Sequence, residues 1–207
     1  MSNLLFERYT LCCNELEEMM EQYQGSSEDA KKLKGALAAE LIKIEIESYF
    51  KKQNKDFKVS MVNSYIAGSK FEYDLLIVKK EVEPYMGILY RPEDVVAIIE
   101  CKASGLFDVD NDTSRIAKAI NCVLQKSPKI RFGYITMSEN VPKNQFNRYG
   151  NPTVQHWDLT VEYLNKKIAG HVASYAVTLH KGKDLCDHGK DKEFIEFIDF
   201  LIDTADR

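Results

Sequence analysis

The run Val95-Val96-Ala97-Ile98-Ile99-Glu100-Cys101-Lys102 is an apolar segment that ends in a carboxylate and an ammonium two residues apart. Side chains alternate across a strand, so Glu100 and Lys102 are expected on one face, shared on this count with Val96 and Ile98. Charges at a core-facing edge are costly unless they are paired or hold a metal. A second apolar segment, Phe71-Glu72-Tyr73-Asp74-Leu75-Leu76-Ile77-Val78, carries its own carboxylate, Asp74. Twenty-five residues separate Asp74 from Glu100, enough for an antiparallel pair with an elaborated connection. Such a pair brings three charged side chains within reach of one ion. The chemistry this suits is metal-dependent hydrolysis of a phosphodiester. A hard cation neutralises the non-bridging oxygens and lowers the pKa of an attacking water. Mg²⁺ prefers oxygen ligands and keeps several waters, so one or two carboxylates suffice to hold it. A neighbouring lysine positions the water or stabilises the accumulating charge. The competing account is a plain edge-strand ion pair, with Asp74 in solvent; such pairs are common and contribute little.

The elements that must position these residues follow from periodicity. Leu5, Tyr9, Cys12, Leu16, Met19 and Tyr23 recur at helical spacing and predict an amphipathic helix over 3–24. Gly25-Ser26-Ser27-Glu28-Asp29 breaks it and offers an N-cap to a helix over 27–52. The predicted core stripe of that second helix is Leu33, Leu37, Leu41, Ile44 and Ser48, with Ile42 and Ile46 on the opposite side. A strand at Phe57–Met61, a turn at Ala67–Lys70, the Asp74 strand, a polar connection over 81–92 with a short strand at Met86–Tyr90, and the Glu100 strand come next. A polar loop over 108–114 caps a helix over 114–126, and Arg131–Met137 reads as a further strand. The stretch 138–152 is irregular; Val172–Leu179 is a late strand, and Phe194, Ile195, Ile198, Leu201 and Ile202 mark a C-terminal helix. With no repeat, low-complexity segment or linker, one domain over 1–207 is expected: an N-terminal helix (1–24), a core (27–137) and a C-terminal completion (138–207).

Asp74 followed by Glu100-Cys101-Lys102 at the end of an apolar strand resembles the PD-(D/E)XK nuclease superfamily, in its element order from about Gly35 to Met137. The resemblance implies an α/β restriction-endonuclease-like fold: a central mixed sheet flanked by helices, here with an extra N-terminal helix and a C-terminal helix. It implies that Asp74 and Glu100 bind the divalent metal, that the Cys101 carbonyl joins them, and that Lys102 assists the water. Many members add a Glu from the first core helix; Glu40 is the candidate, and Glu47 the reserve. One departure is that Tyr73 stands where the family often has proline before the Asp. The implied activity is that of a Mg²⁺-dependent endonuclease acting on DNA, with Mn²⁺ able to substitute. A homodimer is the natural arrangement for double-strand cutting, since one site cuts one strand. The alternative is a catalytically inactive nuclease-fold protein, serving as a DNA-binding or protein-interaction module in a restriction, defence or mobile-element system.

Bulk composition is that of an ordinary globular protein, 44% hydrophobic and 29% charged, and 207 residues suffice to bury a full core. The net charge of −4 provides no global positive field, so binding to a polyanion has to come from a local patch. In the family the chain resembles, the helix after the Glu100 strand often borders the site, which makes Lys118, Gln125 and Lys126 candidate phosphate contacts, against the default of a solvated face. Lys51-Lys52, Lys79-Lys80 and Lys166-Lys167 are too sparse for a claim. Five cysteines without framework spacing, and Met1–Phe6 without an apolar signal core, lead to an expectation of free thiols in the cytoplasm. No apolar run reaches the ~20 residues of a membrane span. Asp108-Val109-Asp110-Asn111-Asp112 fails as a calcium loop, because Thr113 replaces the required Gly and Ala119 the bidentate Glu. Cys186 and His188 are too few for a zinc site, the histidines have no triad partner, and no phosphate-cradling Gly-rich motif is present. Cys101 and Cys122 are expected to face the core.

Overall fold

The computed structural model describes residues 2–22, 26–102, 111–136, 145–146, 152–153, 172–176 and 188–203. Its framework is a mixed five-stranded sheet. The strands, in spatial order, are β1 (Phe57–Val59), β4 (Leu75–Lys79), β6 (Val95–Lys102), β7 (Arg131–Thr136) and β10 (Val172–Ala176). β4 runs antiparallel to both of its neighbours, β1 and β6, whereas β6, β7 and β10 run parallel. Parallel neighbours need a crossover, and α3 (Asn111–Leu124) supplies it between β6 and β7. A smaller sheet of β2 (Ser64–Ile66), β3 (Glu72–Tyr73) and β5 (Leu89–Tyr90) stands beside the large one. β8 (Gln145–Phe146) and β9 (Pro152–Thr153) form a short antiparallel pair inside the stretch expected to be irregular.

Two buried clusters lie on opposite faces of the large sheet. One joins Leu75, Ile77, Ala97, Ile99 and Cys101 to α2 (Ser27–Lys52) and α4 (His188–Ile202). The other joins Leu76, Val78, Ile98 and Phe132 to the small sheet and α3. α1 (Ser2–Gln22) packs on α2, with Tyr9 buried. The ion pair Lys34–Glu17 ties the two helices. Ser26 caps α2 by accepting the Asp29 N–H at 3.1 Å, and Glu28 and Asp29 suit the positive end of the helix dipole.

Three expectations about these elements need correction. The buried stripe of α2 is Ala38, Ala39, Leu41, Ile42, Ile46 and Phe50, while Leu33 and Ile44 are exposed. Ala38 and Ala39 are buried in one cluster with Leu75, Ile77, Ala97 and Ile99 of the sheet, and the larger Leu33 and Ile44 are left outside. On α1, Met19 is likewise exposed. On β6, the alternation breaks at a β-bulge: Ile77 pairs with Ala97 but Val78 with Val95. Val96 therefore packs with the α2 side, opposite Ile98, instead of sharing its face. Beyond the bulge the alternation resumes, which keeps Ile98 on the α3 face with Glu100 in step behind it.

Candidate active site

The Asp74 strand is not continuous. β3 ends at Tyr73 and β4 begins at Leu75, with Asp74 at the break between the small and large sheets. The ladder pairs Leu75 with Ile99, and one further step puts Asp74 opposite Glu100. Where the strand breaks, the Asp74 side chain takes over the ladder: Cys101 N–H donates to Asp74 Oδ2 at 2.7 Å. The acid is thus fixed by a backbone donor of the neighbouring strand. Tyr73, buried beside it, hydrogen-bonds Ser69 Oγ at 2.7 Å and donates to Ala119 O at 3.1 Å. That second bond fastens the Asp74 segment to α3.

Glu100 is buried, and its Oε1 accepts from Lys102 Nζ at 2.7 Å and from Arg115 Nη2 at 3.5 Å. Burial, then the Glu100 charge, push the Asp74 carboxyl from its ordinary value up to about 7; the Cys101 N–H, Lys102 and Arg115 pull the other way. Burial alone would lower the Lys102 ammonium, but Glu100 and Asp74 outweigh it and raise the group above its usual value. The Cys101 thiol is buried on the opposite face, among α2 and α4 residues, and burial together with the two acids pushes it well up. It is a core thiol; only its backbone faces the site.

Asp74, Glu100 and Lys102 thus come together on one face at the end of the sheet, as their spacing implied. Glu40 does not join them. Its helix packs on the other face of the sheet, and its exposed carboxylate pairs with Lys43 at 3.3 Å. Glu47 lies on the same helix. Among the described residues no group of three or more His, Cys, Asp and Glu side chains is arranged to hold a metal. Glu40 is kept away by the layer its helix occupies, since α2 covers the face of the sheet opposite Glu100. Lys126 turns away from the site and donates to Ala67 O at 3.4 Å, while Lys118 and Gln125 are solvent-exposed. Cys122 sits on α3 with its thiol toward Gly68 O at 3.9 Å. Residues 103–110, which include the start of the calcium-like run, and Lys166, Lys167 and Cys186 lie outside the described residues.

Sequence reasoning missed Arg115. A signal was present: Arg115 stands one turn before Ala119, which is buried against the sheet, so helical spacing puts both on the inward side of α3. The donor set fits a hard divalent cation. Two carboxylates from adjacent strands face each other, and one of them is held against ionisation by burial and by its neighbour, a cost that a bound cation would offset.

No family model and no curated protein matches the sequence. No helix among the described residues is long and apolar enough to cross a membrane. A solved structure, NucC of P. aeruginosa ATCC27853 in its cAAA-bound form, superposes with a TM-score of 0.50 over 87% of this chain and 77% of that one, at 13% identity. At that identity the likeness speaks for the fold alone: the chain is a mixed α/β protein built on sheets and helices, similar in architecture to NucC.

Proposed function

We propose that this chain is a divalent-metal-dependent nuclease of the restriction-endonuclease-like fold, hydrolysing DNA phosphodiester bonds. The observation that carries the proposal is the facing pair Asp74 and Glu100 on neighbouring antiparallel strands, with Lys102 held 2.7 Å from Glu100. Asp74, Glu100 and the Cys101 carbonyl would hold Mg²⁺, with Mn²⁺ as a substitute; when bound, the ion would neutralise phosphate oxygens and acidify water. In the metal-free chain Glu100 and Asp74 raise the Lys102 ammonium above its usual value. Its role would be that of a donor, orienting water and stabilising charge on the phosphoryl oxygens. Glu40, paired with Lys43 on the far layer, is given no role.

The test is plasmid nicking in Mg²⁺ or Mn²⁺. Lys102→Ala and Asp74→Ala are each expected to lower the rate by about 10²-fold or more. Equal cutting by wild type and both variants would refute the assignment. A second reading, a nuclease-fold module without catalysis, draws on the ion pairing that already engages Glu100. Isothermal titration separates the two: the module takes up no Mn²⁺.

A further inference from the structure

Glu100 Oε1 has two cationic partners of different character. Lys102 is close, at 2.7 Å, and its side chain is only 25% exposed. Arg115 is at 3.5 Å, the outer limit of a hydrogen bond, and its side chain is 58% exposed. Structure alone does not require Arg115 there. Glu100 is already paired with Lys102, and a half-exposed ion pair at that distance adds little stability. Arg115 also shares the wall of a small recess with Phe71, Glu72, Tyr73, Glu100 and Phe132. Its helix is held in place by the Tyr73 bond to Ala119 O, one turn further along α3. The backbone under Arg115 is therefore tied to the Asp74 segment, while the guanidinium lies more than half exposed.

Resting on the nuclease reading above, we propose that Arg115 is a substrate-binding residue, whose guanidinium grips the phosphate adjoining the acidic pair once Glu100 is engaged by a cation. A dication held by Glu100 repels both Lys102 and Arg115. Lys102 is hemmed in by its burial, so Arg115 is the group that leaves. A planar guanidinium presents a fork of donors that matches two phosphate oxygens, which a lysine ammonium does not. In the metal-free protein the same side chain screens Glu100 from Asp74, so one residue serves both states. The recognised chemistry is a phosphodiester oxygen pair, independent of base identity.

The proposal is tested with Arg115→Ala and Arg115→Lys in three measurements on the full chain. Binding of a fluorescent DNA duplex in Mn²⁺ is compared between Lys102→Ala and the Lys102→Ala/Arg115→Ala double variant, which prevents turnover. Mn²⁺ uptake is followed by isothermal titration, and cleavage is split into kcat and KM. Loss of Arg115 is expected to weaken DNA binding about tenfold or more and to raise KM. Mn²⁺ affinity is expected to hold or tighten, because a competing cation has gone, and Arg115→Lys is expected to recover only part of the DNA affinity. Unchanged DNA binding and cleavage in Arg115→Ala, with an active wild type, would overturn the inference and leave the nuclease reading intact. Weaker Mn²⁺ uptake with unchanged DNA binding would also overturn it, making Arg115 an organiser of the acids. A wild type that neither binds Mn²⁺ nor cuts would instead remove the nuclease reading, and this inference with it.

Discussion

Asp74 is where the electrostatics of this molecule concentrate. Its carboxyl is pushed up to about 7, first by burial and then by Glu100, whereas an unfolded Asp titrates near ~3.9. Between those two values the folded chain binds more protons than the unfolded one. Metal-free stability therefore falls as pH rises from about 4 to about 7, and the loss is complete above that. Asp74→Asn removes the titrating group but keeps an oxygen to accept the Cys101 N–H. In EDTA, calorimetry is expected to give the variant a Tm several °C above wild type at pH 8, and within about 1 °C of it at pH 4. An equal offset at both pH values would show that the charge is not responsible. Mn²⁺ affinity of the wild type is expected to rise over the same pH range, since uptake displaces the Asp74 proton.

At the scale of elements, the site depends on how tightly helices seat on the sheet. β7 is the parallel neighbour of β6, pairing Glu100 with Tyr134 and Lys102 with Thr136. Gly133 on β7 lies under α4, where an added Cβ would stand 2.8 Å from Phe197 Cζ and 3.0 Å from Leu201 Cδ1. Both contacts come from buried side chains that have little room to yield. Gly133→Ala is expected to destabilise the protein by about 1–3 kcal/mol through overpacking, read as a shift of the urea midpoint at unchanged slope. An unshifted midpoint would mean that α4 seats less closely than described. A different constraint acts at Gly68, whose φ of +77° is the left-handed region that L side chains avoid. This turn meets the end of α3 through Lys126 and Cys122, which is why Lys126 is spent on structure and not on substrate.

For the whole molecule, the governing fact is a net charge of −4. A protein of that charge does not attract DNA through its overall field, so the proposed binding would rest on a few local cations such as Arg115 and Lys102. Each neutralised phosphate contributes about −0.9 to the slope of log K against log salt. A slope between about −2 and −4 is expected for duplex binding by the Lys102→Ala variant, measured by fluorescence polarisation. A slope near −10 would reveal a basic surface that the described residues do not provide.

The sequence by itself singled out Asp74, Glu100 and Lys102, the charged trio that the structure brings together. Apolar strands ending in Asp74 and in Glu100-Cys101-Lys102 are local patterns, and the period-two alternation of a strand fixed which of these side chains share a face. The span of α2 was equally legible, because Ser26 and the break at Gly25 are local signals. Which face of α2 turns inward was not. Leu33, Ala38, Ile42 and Ile44 compete for burial around a helix whose hydrophobicity is spread nearly evenly, and the tertiary packing that buries Ala38 and Ala39 with the sheet decides among them. Glu40 is kept from the site by the layer that α2 occupies, opposite Glu100 across the sheet. The bulge at Val96 and the strand break at Asp74 depend on pairing between segments far apart in the chain. Helical spacing marks Arg115 as an inward position of its helix, but its meeting with Glu100 required the crossover to bring that helix back over the sheet.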